Sequence, residues 1–375
     1  MSTDRNTSRR AASTRARILA AMLMAAPLAL GTPAKAALLS SSMLATVSTF
    51  ATGLNNPRGL KFGPDGNLYV AEGGTGGTNS TTEAQCTQVV PPVGPYLGSP
   101  TGGRITRIDA NGDSTTVSDT FPSSQTSAAL GSLTSGVADV AFIGNQLYAL
   151  IAGGGCSHGV PTIPNGIARV EANGSWTLIA DLSAFVKAHP VAHPEEDDFE
   201  PDGTWYSMIA LRGDLYAVEP NHGEVDRITT DGGISRVVDF SASQGHQVPT
   251  ALSYHGNFYL GNLGVFPQAI GSSKVWKLTP SGQLKVDTTG FDLVLGVTFD
   301  NRARMYVLEM SAGSPAPVPG TGRITRVDPN GAKTIVADHL LFPTGMTFGP
   351  DGNLYVSNGG IVGPGGGSIL KVDLN

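Results

Sequence analysis

Alternating apolar and polar residues, interrupted every few positions by Gly, Asn or Asp, run through the chain from residue 45 to its end. The decapeptide GPDGNLYVAE at 63–72 returns almost unchanged as GPDGNLYVSN at 349–358. Alternation with a period of two between Asp-Gly and Asn-Gly turns predicts short β-strands joined by tight hairpins. No helical period competes over a useful length. The pattern therefore predicts an all-β chain built from an internal repeat.

Six copies of the repeat can be counted, because an apolar residue followed by tyrosine marks one strand of each copy. The same order surrounds every mark: a Gly-rich apolar strand, a turn, the marked strand, a third alternating strand, a second turn and an outer strand. Four-stranded units in this order are typical of β-propeller blades. The marks are Leu68-Tyr69, Leu147-Tyr148, Leu215-Tyr216, Phe258-Tyr259, Met305-Tyr306 and Leu354-Tyr355.

The two ends of the chain complement each other. The sixth copy stops after its third strand at 369–372, and the segment 45–52 resembles the outer strand at 333–339. Pairing the two would complete the last blade and remove an open sheet edge. We therefore predict a six-bladed β-propeller, closed by an N-terminal strand, that forms a single domain over 37–375.

Residues 1–36 have the features of a secretory signal peptide. Arginines precede an apolar run at 18–30, and Ala34-Lys35-Ala36 offers a small-x-small cleavage site. The run is short for a bilayer span, although a membrane anchor stays open as the alternative if cleavage fails. We expect a secreted or periplasmic protein, exported by the general secretory route or, from Ser8-Arg9-Arg10, by the twin-arginine route.

Composition and charge narrow the classes of partner. The chain has 49 Gly and 25 Pro among 375 residues, with 14% charged residues, which suits a turn-rich β protein. Residues 1–36 hold six basic residues and one acid, so their removal takes the net charge from −6 to −11. A chain this acidic without a basic stripe is a poor binder of nucleic acid or anionic membrane. We expect a monomer that binds an unknown small molecule or protein.

Four insertions interrupt the repeat, at 73–102, 153–165, 189–204 and 241–248. They fall between the second and third strands of a blade or between successive blades, and these two connections emerge on the same side of a propeller. The elaborated face is therefore the predicted site of function. Cys86 and Cys156 lie in the first two insertions, and we predict a disulfide between them; two free thiols are the alternative.

The fifth residue of the strand that carries the Leu-Tyr mark is polar in most copies of the repeat. Its side chains are expected near the mouth of the central channel, where oxygen ligands can hold Ca²⁺ or another divalent cation. Glu72, Asn262 and Glu309 are the candidate ligands. We favour a structural role, with the acids bonded to arginines such as Arg104 and Arg323. The position reads Glu72, Ile151, Glu219, Asn262, Glu309 and Asn358 around the ring.

The segment 219–223 departs most from its sibling copies, which makes Glu219, Asn221 and His222 candidate ligand-binding residues. A hydrogen-bonded loop histidine is the favoured alternative for His222, as for His158, His246 and His255. His189 and His193 both precede proline, so they are not expected to share a helical face as zinc ligands. Six acids at 195–202 predict a solvated loop, with a weak calcium loop as the alternative.

No G-x-S-x-G, H-E-x-x-H or Walker A motif is present, so no catalytic residues are assigned. The segment PRGLKFGPDGNLYVAE, with GRITRID, resembles an NHL-type propeller repeat. The segments EPDGTWYSMIALRGDLYAVEPNHGEVDRI and VPTALSYHGNFYLGNLGVFP resemble the ScyD/ScyE family of secreted propellers over essentially the whole mature chain. The resemblance implies export and a six-bladed fold, and it supplies no chemistry.

We therefore expect a non-catalytic, exported scaffold that binds a ligand or partner on the elaborated face. The alternative is a metal-dependent hydrolase or lactonase of the gluconolactonase-like propeller type, acting at the channel mouth by analogy of fold alone. A third possibility, a component of pigment or secondary-metabolite assembly, rests on the family name.

Overall fold

The computed structural model describes residues 44–194, 199–279, 281–313 and 317–374. Within these ranges the chain forms six antiparallel sheets. The innermost strands of the sheets contact each other in sequence, and the sixth contacts the first. The contacts close a ring, which confirms the predicted six-bladed β-propeller. The predicted signal peptide at 1–36 lies outside the described residues.

The first strand, β1 (Thr46–Leu54), stands apart from the blade that follows it in sequence. Blade 1 comprises β2 (Pro57–Phe62), β3 (Leu68–Glu72), β4 (Leu97–Ile108), β5 (Ser114–Gln125) and β6 (Thr134–Ser135). Blade 2 comprises β7 (Val137–Ile143), β8 (Gln146–Ile151), β9 (Gly166–Val170) and β10 (Trp176–Asp181). Blade 3 comprises β11 (Ser207–Leu211), β12 (Asp214–Glu219), β13 (Glu224–Ile228) and β14 (Ile234–Asp239).

The second half of the ring is more regular. Blade 4 comprises β15 (Pro249–Tyr254), β16 (Phe258–Asn262), β17 (Ser273–Leu278) and β18 (Leu284–Phe291). Blade 5 comprises β19 (Val294–Phe299), β20 (Met305–Glu309), β21 (Gly322–Val327) and β22 (Lys333–Leu340). Blade 6 comprises β23 (Gly345–Phe348), β24 (Leu354–Asn358) and β25 (Gly367–Asp373).

Strand β1 completes blade 6, as the sequence predicts. It pairs antiparallel with β25, with Val47 opposite Val372. Ala51 and Leu54 are buried against Tyr355 of blade 6 and the core of blade 1. The ring is therefore closed by main-chain hydrogen bonds and by apolar contact between the two ends of the described chain, so that blade 6 has no open edge there.

Alternation along the strands places large apolar side chains between neighbouring blades. Leu68 and Val70 of β3 are fully buried, as are Leu354 and Val356 of β24. Burial of each such side chain stabilises the fold by roughly 1.5–3 kcal/mol. The Leu-Tyr-Val sequence that β3 and β24 share is therefore a packing motif, because its Leu and Val are buried in both blades.

Blade 1 departs from the prediction. The segment 73–102 was expected to be a loop, but β4 already begins at Leu97 and β5 continues to Gln125, so the hairpin extends beyond the blade and adds β6 as a fifth strand. In the outer part of this hairpin Gly98 pairs with Ser124. This part lies outside the segments that the six copies of the repeat share.

Two short helices occupy the connections on either side of blade 3. Helix α1 (Leu182–Ala188) begins after Asp181, whose carboxylate accepts the Ala184 N–H at 2.8 Å as an N-cap. It ends before His189, so His189 and His193 do not share a helical face, as predicted. Helix α2 (Ser241–Gln244) precedes blade 4. Across the described ranges, no helix has the length and apolar character of a bilayer span.

Candidate functional site

A disulfide joins the first two insertions. Cys86 and Cys156 are bonded with an S–S distance of 2.05 Å and a Cα–Cα distance of 6.3 Å, which confirms the predicted pairing. The bond fixes an insertion of blade 1 to an insertion of blade 2. Each loop is therefore anchored covalently to the other at a point outside the strands of its own blade.

The other insertions join the same cluster of loops. The Tyr96 hydroxyl, from the first insertion, donates to the Glu200 carboxylate in the third at 2.6 Å. The backbone N–H of His193, also in the third, donates to Ser241 Oγ at the start of the fourth at 3.0 Å. All four insertions are therefore linked on one side of the ring, as the blade topology predicts.

Glu200 is the centre of the buried polar network beneath these loops. His158 Nε2 lies 3.4 Å from its carboxylate, and His158 Nδ1 lies 2.9 Å from Ser124 Oγ. Burial alone would raise the pKa of the Glu200 carboxyl, but the adjacent His158 ring and hydrogen bonds from Thr204 and Tyr96 outweigh it and hold that pKa below its ordinary value. The network therefore keeps a carboxylate ionised inside the loop cluster.

Ser124, His158 and Glu200 are the residue types of a nucleophilic triad, but a substrate cannot reach the serine. Ser124 and His158 are both 0% exposed, so neither side chain is open to a substrate from solvent. A nucleophile needs room for a substrate carbonyl within about 3 Å of its oxygen. The trio therefore holds the extended hairpin of blade 1 to the insertions of blades 2 and 3.

Asp202 forms a second buried anchor. One carboxylate oxygen accepts the Ser157 N–H at 2.7 Å and the Ser157 hydroxyl at 2.6 Å. The other accepts Lys187 Nζ at 2.5 Å, while the Lys187 side chain remains 49% exposed. Burial favours the neutral acid, but the bonds from Lys187 and Ser157 outweigh it, so the pKa of Asp202 is lowered. The exposed Lys187 ammonium group has further N–H donors that can reach solvent or a ligand.

A cavity of about 460 Å³ opens beside this ion pair, between the disulfide, helix α1 and the third insertion. Its wall is mostly apolar, with Lys187, Asp202 and His222 as the charged or titratable groups among the described residues. The lining residues are Cys86, Thr87, Val186, Lys187, Pro190, Val191, Pro194, Phe199, Pro201, Asp202 and His222.

His222 is the predicted ligand residue that reaches the cavity. Its ring stacks on Phe199 with centroids 5.1 Å apart, and its Nε2 lies 2.9 Å from the Glu200 carbonyl oxygen. Since a carbonyl oxygen only accepts, Nε2 carries the proton in the neutral ring and Nδ1 keeps a lone pair. The backbone N–H of His222 donates to the Glu219 carboxylate at 2.5 Å. These contacts hold the His222 ring in a fixed position in the cavity wall.

Glu219 and Asn221 lie behind His222. The Glu219 carboxylate also accepts the Thr204 N–H, and the Asn221 side-chain oxygen accepts the Glu200 N–H, both at 2.6 Å. Both residues are buried. They position the loop that carries His222, and neither lines the cavity.

The acidic segment 195–202 differs from its prediction. A solvated loop was expected, but Glu200 is 6% and Asp202 is 2% exposed. The prediction is wrong for these two residues, because each carboxylate receives hydrogen bonds from several groups on the neighbouring insertions. The first four acids, at 195–198, lie outside the described residues.

The remaining candidates at the end of the marked strand stay within their own blades. Glu72 accepts Arg104 at 2.7 Å from both Nε and Nη2, and it also accepts the Thr106 hydroxyl. Glu309 accepts Arg323 Nε at 2.9 Å in the same way. Both acids are thus bonded to the arginines expected from the sequence if their role is structural. Asn262 bonds Gln247 and Lys274, and Asn358 bonds Leu341 and Ser368.

Glu72, Asn262 and Glu309 are therefore not brought together as a ligand set. Among the described residues no group of three His, Cys, Asp or Glu side chains is placed to hold a metal ion. Their oxygens face arginine, hydroxyl or amide donors of the same blade. Cation binding at the channel mouth therefore stays a prediction, and the described side chains do not form a set of ligands for it.

Of the other candidate histidines, His255 stacks on Phe299 with centroids 4.8 Å apart, at the hairpin after β15 and away from the insertions. His246 is partly buried in the fourth insertion. Neither lines the cavity.

Sequence reasoning did not identify Lys187, Phe199, Val191 and Asp202 as cavity residues. The cavity forms between loops of three different blades, and no local pattern records that contact. One signal was available, since the N-cap Asp181 and the helix-forming residues after it indicate that a rigid element carries Lys187.

A comparison with protein-family models and one with curated proteins find no match to the chain. Solved structures match its fold. A protein of unknown function from Bacteroides thetaiotaomicron matches with a TM-score of 0.55 and 13% identity, over 87% of this chain and 75% of that one.

Two further structures carry functional descriptions. A putative oxidoreductase (glucose dehydrogenase) from Thermus thermophilus matches with a TM-score of 0.54 and 15% identity, over 88% and 99% of the two chains. A gluconolactonase from Xanthomonas campestris matches with a TM-score of 0.52 and 13% identity, over 88% and 89%. At these identities the likeness establishes the six-bladed propeller fold, which hosts many unrelated activities.

Proposed function

We propose that the protein is an exported propeller that binds a small, mostly apolar molecule in the cavity between the insertions, without transforming it. The cavity of about 460 Å³ supports this proposal most directly, since ligand sites are roughly 300–1,000 Å³ and mainly apolar with a few fixed polar groups. Lys187 would donate to an acceptor or anionic group of the ligand. His222 would accept from a ligand donor through Nδ1.

A binding role is favoured over catalysis by how the titratable groups are used. Asp202 is bonded to Ser157 and Lys187, and the Nε2 proton of His222 is directed to a main-chain carbonyl. These bonds hold side chains in fixed positions, which reduces the entropic cost of recognition.

Filling the cavity tests the proposal. The neutral fluorophore N-phenyl-1-naphthylamine should bind to the wild-type protein, and Thr87→Trp should remove that binding, because residue 87 is exposed and lines the cavity. Glu83→Trp is the matched control, as residue 83 is exposed in the same insertion and does not line it. Equal binding by both variants would refute a ligand site in this cavity.

The alternative, a metal-dependent lactonase at the channel mouth, has weaker support. Glu72 and Glu309 are each neutralised by an arginine, and Tyr206 crosses the channel to bond the Thr344 carbonyl at 2.9 Å. Metal analysis and lactone turnover of the purified protein distinguish the two functions. If the wild-type protein holds one divalent ion and hydrolyses lactones, and Glu309→Gln loses both the ion and the turnover, the protein is a lactonase and not a binding protein.

We also propose that the chain is a ScyD/ScyE-like propeller. The fold, and the bond between the two cysteine loops included in the resemblance, support this assignment. The assignment leaves the ligand open.

A further inference from the structure

The channel is closed at the end that faces the insertions. Tyr206 precedes β11 in blade 3, and its hydroxyl donates to the Thr344 carbonyl, which precedes β23 in the opposite blade 6. Below it the channel narrows to a cavity of about 40 Å³, room for a small ion or water only. A ligand at this mouth would therefore rest on the closure and not enter the channel.

Arg58 lies at the same mouth, at the start of β2. Its Nη1 donates at 2.5 Å to the carbonyl of Gly360, between β24 and β25 of blade 6, and its Nη2 donates at 2.6 Å to the carbonyl of Thr134, on β6 of blade 1. A guanidinium has five N–H groups. Its other three donate to no described residue, and the side chain is partly exposed.

No described carboxylate lies within 4 Å of the Arg58 guanidinium, whereas Arg104, Arg236 and Arg323, which are similarly shielded, each bind one. Burial lowers the pKa of Arg58, and Tyr206 offsets this only in part. A shielded cation without a counter-ion is costly in free energy, so an incoming anion is favoured there.

The carboxylate of the channel, Asp139, is engaged elsewhere. It accepts the N–H groups of Val140 and Met208 at 2.8 Å and lies against Gly59, where a β-carbon would be 1.9 Å from its oxygen. Burial raises the pKa of Asp139, and the charge of Lys61 and the two N–H groups oppose this only in part. Asp139 is therefore held to the channel wall by its own partners.

Apolar side chains surround the mouth. Tyr206, Leu263, Phe342 and Ile361 pack together on buried Leu293, Leu295 and Met310, and Ile361 directly follows the glycine that holds Arg58. Residues nearby in the sequence continue the apolar surface into solvent, and they are four of the ten large apolar side chains that are exposed on the described chain. These neighbours are Val265 at 49%, Phe266 at 45%, Val362 at 40% and Leu341 at 37% exposure.

We propose that this mouth is a second binding site, for a small amphipathic anion. A carboxylate or sulfonate head would take the free N–H groups of Arg58, and an aliphatic or aromatic body would cover Phe266 and Val362. The site is distinct from the cavity between the insertions, which is lined by Lys187 and His222. Charge complementarity defines the ligand, because the unpaired cation sits on a protein whose net charge is negative.

The test uses two fluorophores that share a ring system: 8-anilinonaphthalene-1-sulfonate, which carries the anion, and neutral N-phenyl-1-naphthylamine. Both are titrated into the full mature chain carrying Thr87→Trp, so that the cavity between the insertions is filled. We expect the sulfonate to bind at least about tenfold tighter to this protein than to its Arg58→Gln derivative, and more weakly as salt rises. Because Thr87→Trp removes binding of the neutral probe in the cavity between the insertions, any weaker binding of this probe that remains at the apolar mouth should be equal in the two proteins.

Phe266→Glu provides a second variant, because residue 266 is an exposed loop position whose change should leave the fold intact. It should weaken sulfonate binding at least about tenfold, whereas Val47→Glu, at an exposed position on β1, should not. Sulfonate affinity that is unchanged in both Arg58→Gln and Phe266→Glu would overturn the proposal. Equal losses for both fluorophores in Arg58→Gln would overturn it too, since the charge would then not be recognised.

Discussion

In blade 3, Glu219 lies directly opposite Glu224 across β12 and β13. At the same register Glu72 faces Arg104 in blade 1 and Glu309 faces Arg323 in blade 5. Blade 3 thus replaces a salt bridge of its sibling blades by two facing acids.

Asp226 lies two residues further along β13 and is also buried, and its two carboxylate oxygens have no hydrogen-bond partner. Arg236, on β14, bonds Glu224 and supplies the nearby positive charge. Burial is the main reason that the pKa values of Glu224 and Asp226 are raised, with Arg236 opposing it in both and the Asp226 charge adding to it for Glu224. The pair therefore keeps protons that solvated carboxyls have lost.

This pair predicts a pH-dependent stability. A carboxyl with a raised folded pKa binds more protons folded than unfolded, so its contribution to stability falls as pH rises above about 4, the unfolded value. The melting temperature should fall between about pH 5 and pH 9, and Glu224→Gln should raise it at about pH 8 by on the order of 2–4 °C. The exposed control Glu83→Gln should change neither quantity. A Glu224→Gln melting curve that keeps the full pH slope would contradict the assignment.

The arginine pairs of blades 1 and 5 should be structural. Glu72→Gln leaves the half-buried Arg104 without its counter-charge, so the free energy of unfolding should fall by about 3 kcal/mol in urea titrations. Glu309→Gln should behave alike through Arg323. Chelation with EDTA should leave both wild-type stability and the variant differences unchanged. A wild-type melting temperature that drops in EDTA would instead favour a cation at this position.

The disulfide should stabilise the loop cluster. It closes a separation of 70 residues, which corresponds to about 4 kcal/mol in the chain-entropy account. The double variant Cys86→Ser/Cys156→Ser should lose up to this amount and bind N-phenyl-1-naphthylamine more weakly, because Cys86 lines the cavity. Reductant should affect the wild type and not the variant. Unaltered probe binding in the variant would show that the cavity forms without the bond.

The closing strand should be indispensable. A chain that begins at Asn55 lacks β1, so β25 becomes an open edge and Ile369 and Val372 lose their cover. It should elute as aggregates in size-exclusion chromatography, since exposed strand edges recruit other chains. A chain that begins at Leu44 retains β1 and should elute as a monomer. If the chain that begins at Asn55 were monomeric and folded cooperatively, closure by β1 would be refuted.

Export should remove residues 1–36. N-terminal sequencing of protein collected outside the cytoplasm should begin at Ala37, after the Ala34-Lys35-Ala36 site. Ala36→Arg should block this cleavage and leave the longer chain attached to membrane. Recovery of uncleaved wild-type protein in the medium would rule out a signal peptide.

The blade count and the closure could be predicted because each follows from local pattern. The Leu-Tyr marks, the Asp-Gly turns and the resemblance of 45–52 to 333–339 are all patterns of short segments, each no longer than one blade. The face that carries the insertions followed from topology, as did the contact between the cysteine loops. The long β4–β5 hairpin was missed, because Pro and Gly inside it imitate a loop.

The candidate site was predicted only in part. His222 was identified because its segment departs from the repeat, and it does line the cavity. Glu200 and Asp202 were assigned to solvent on the density of acids around them, a reasonable inference when partners are unknown. Their burial depends on Tyr96, His158 and Ser157, which come from other blades.

By itself the amino-acid order determined a ring of six blades, its closing strand and the face that bears the long loops, because a repeat encodes the same short-range hydrogen bonding and burial in each copy. Only the tertiary structure decided which carboxylates are paired, which arginine lacks a counter-charge and where a cavity opens. Those properties arise between blades, from distances among residues that the repeat does not relate to one another.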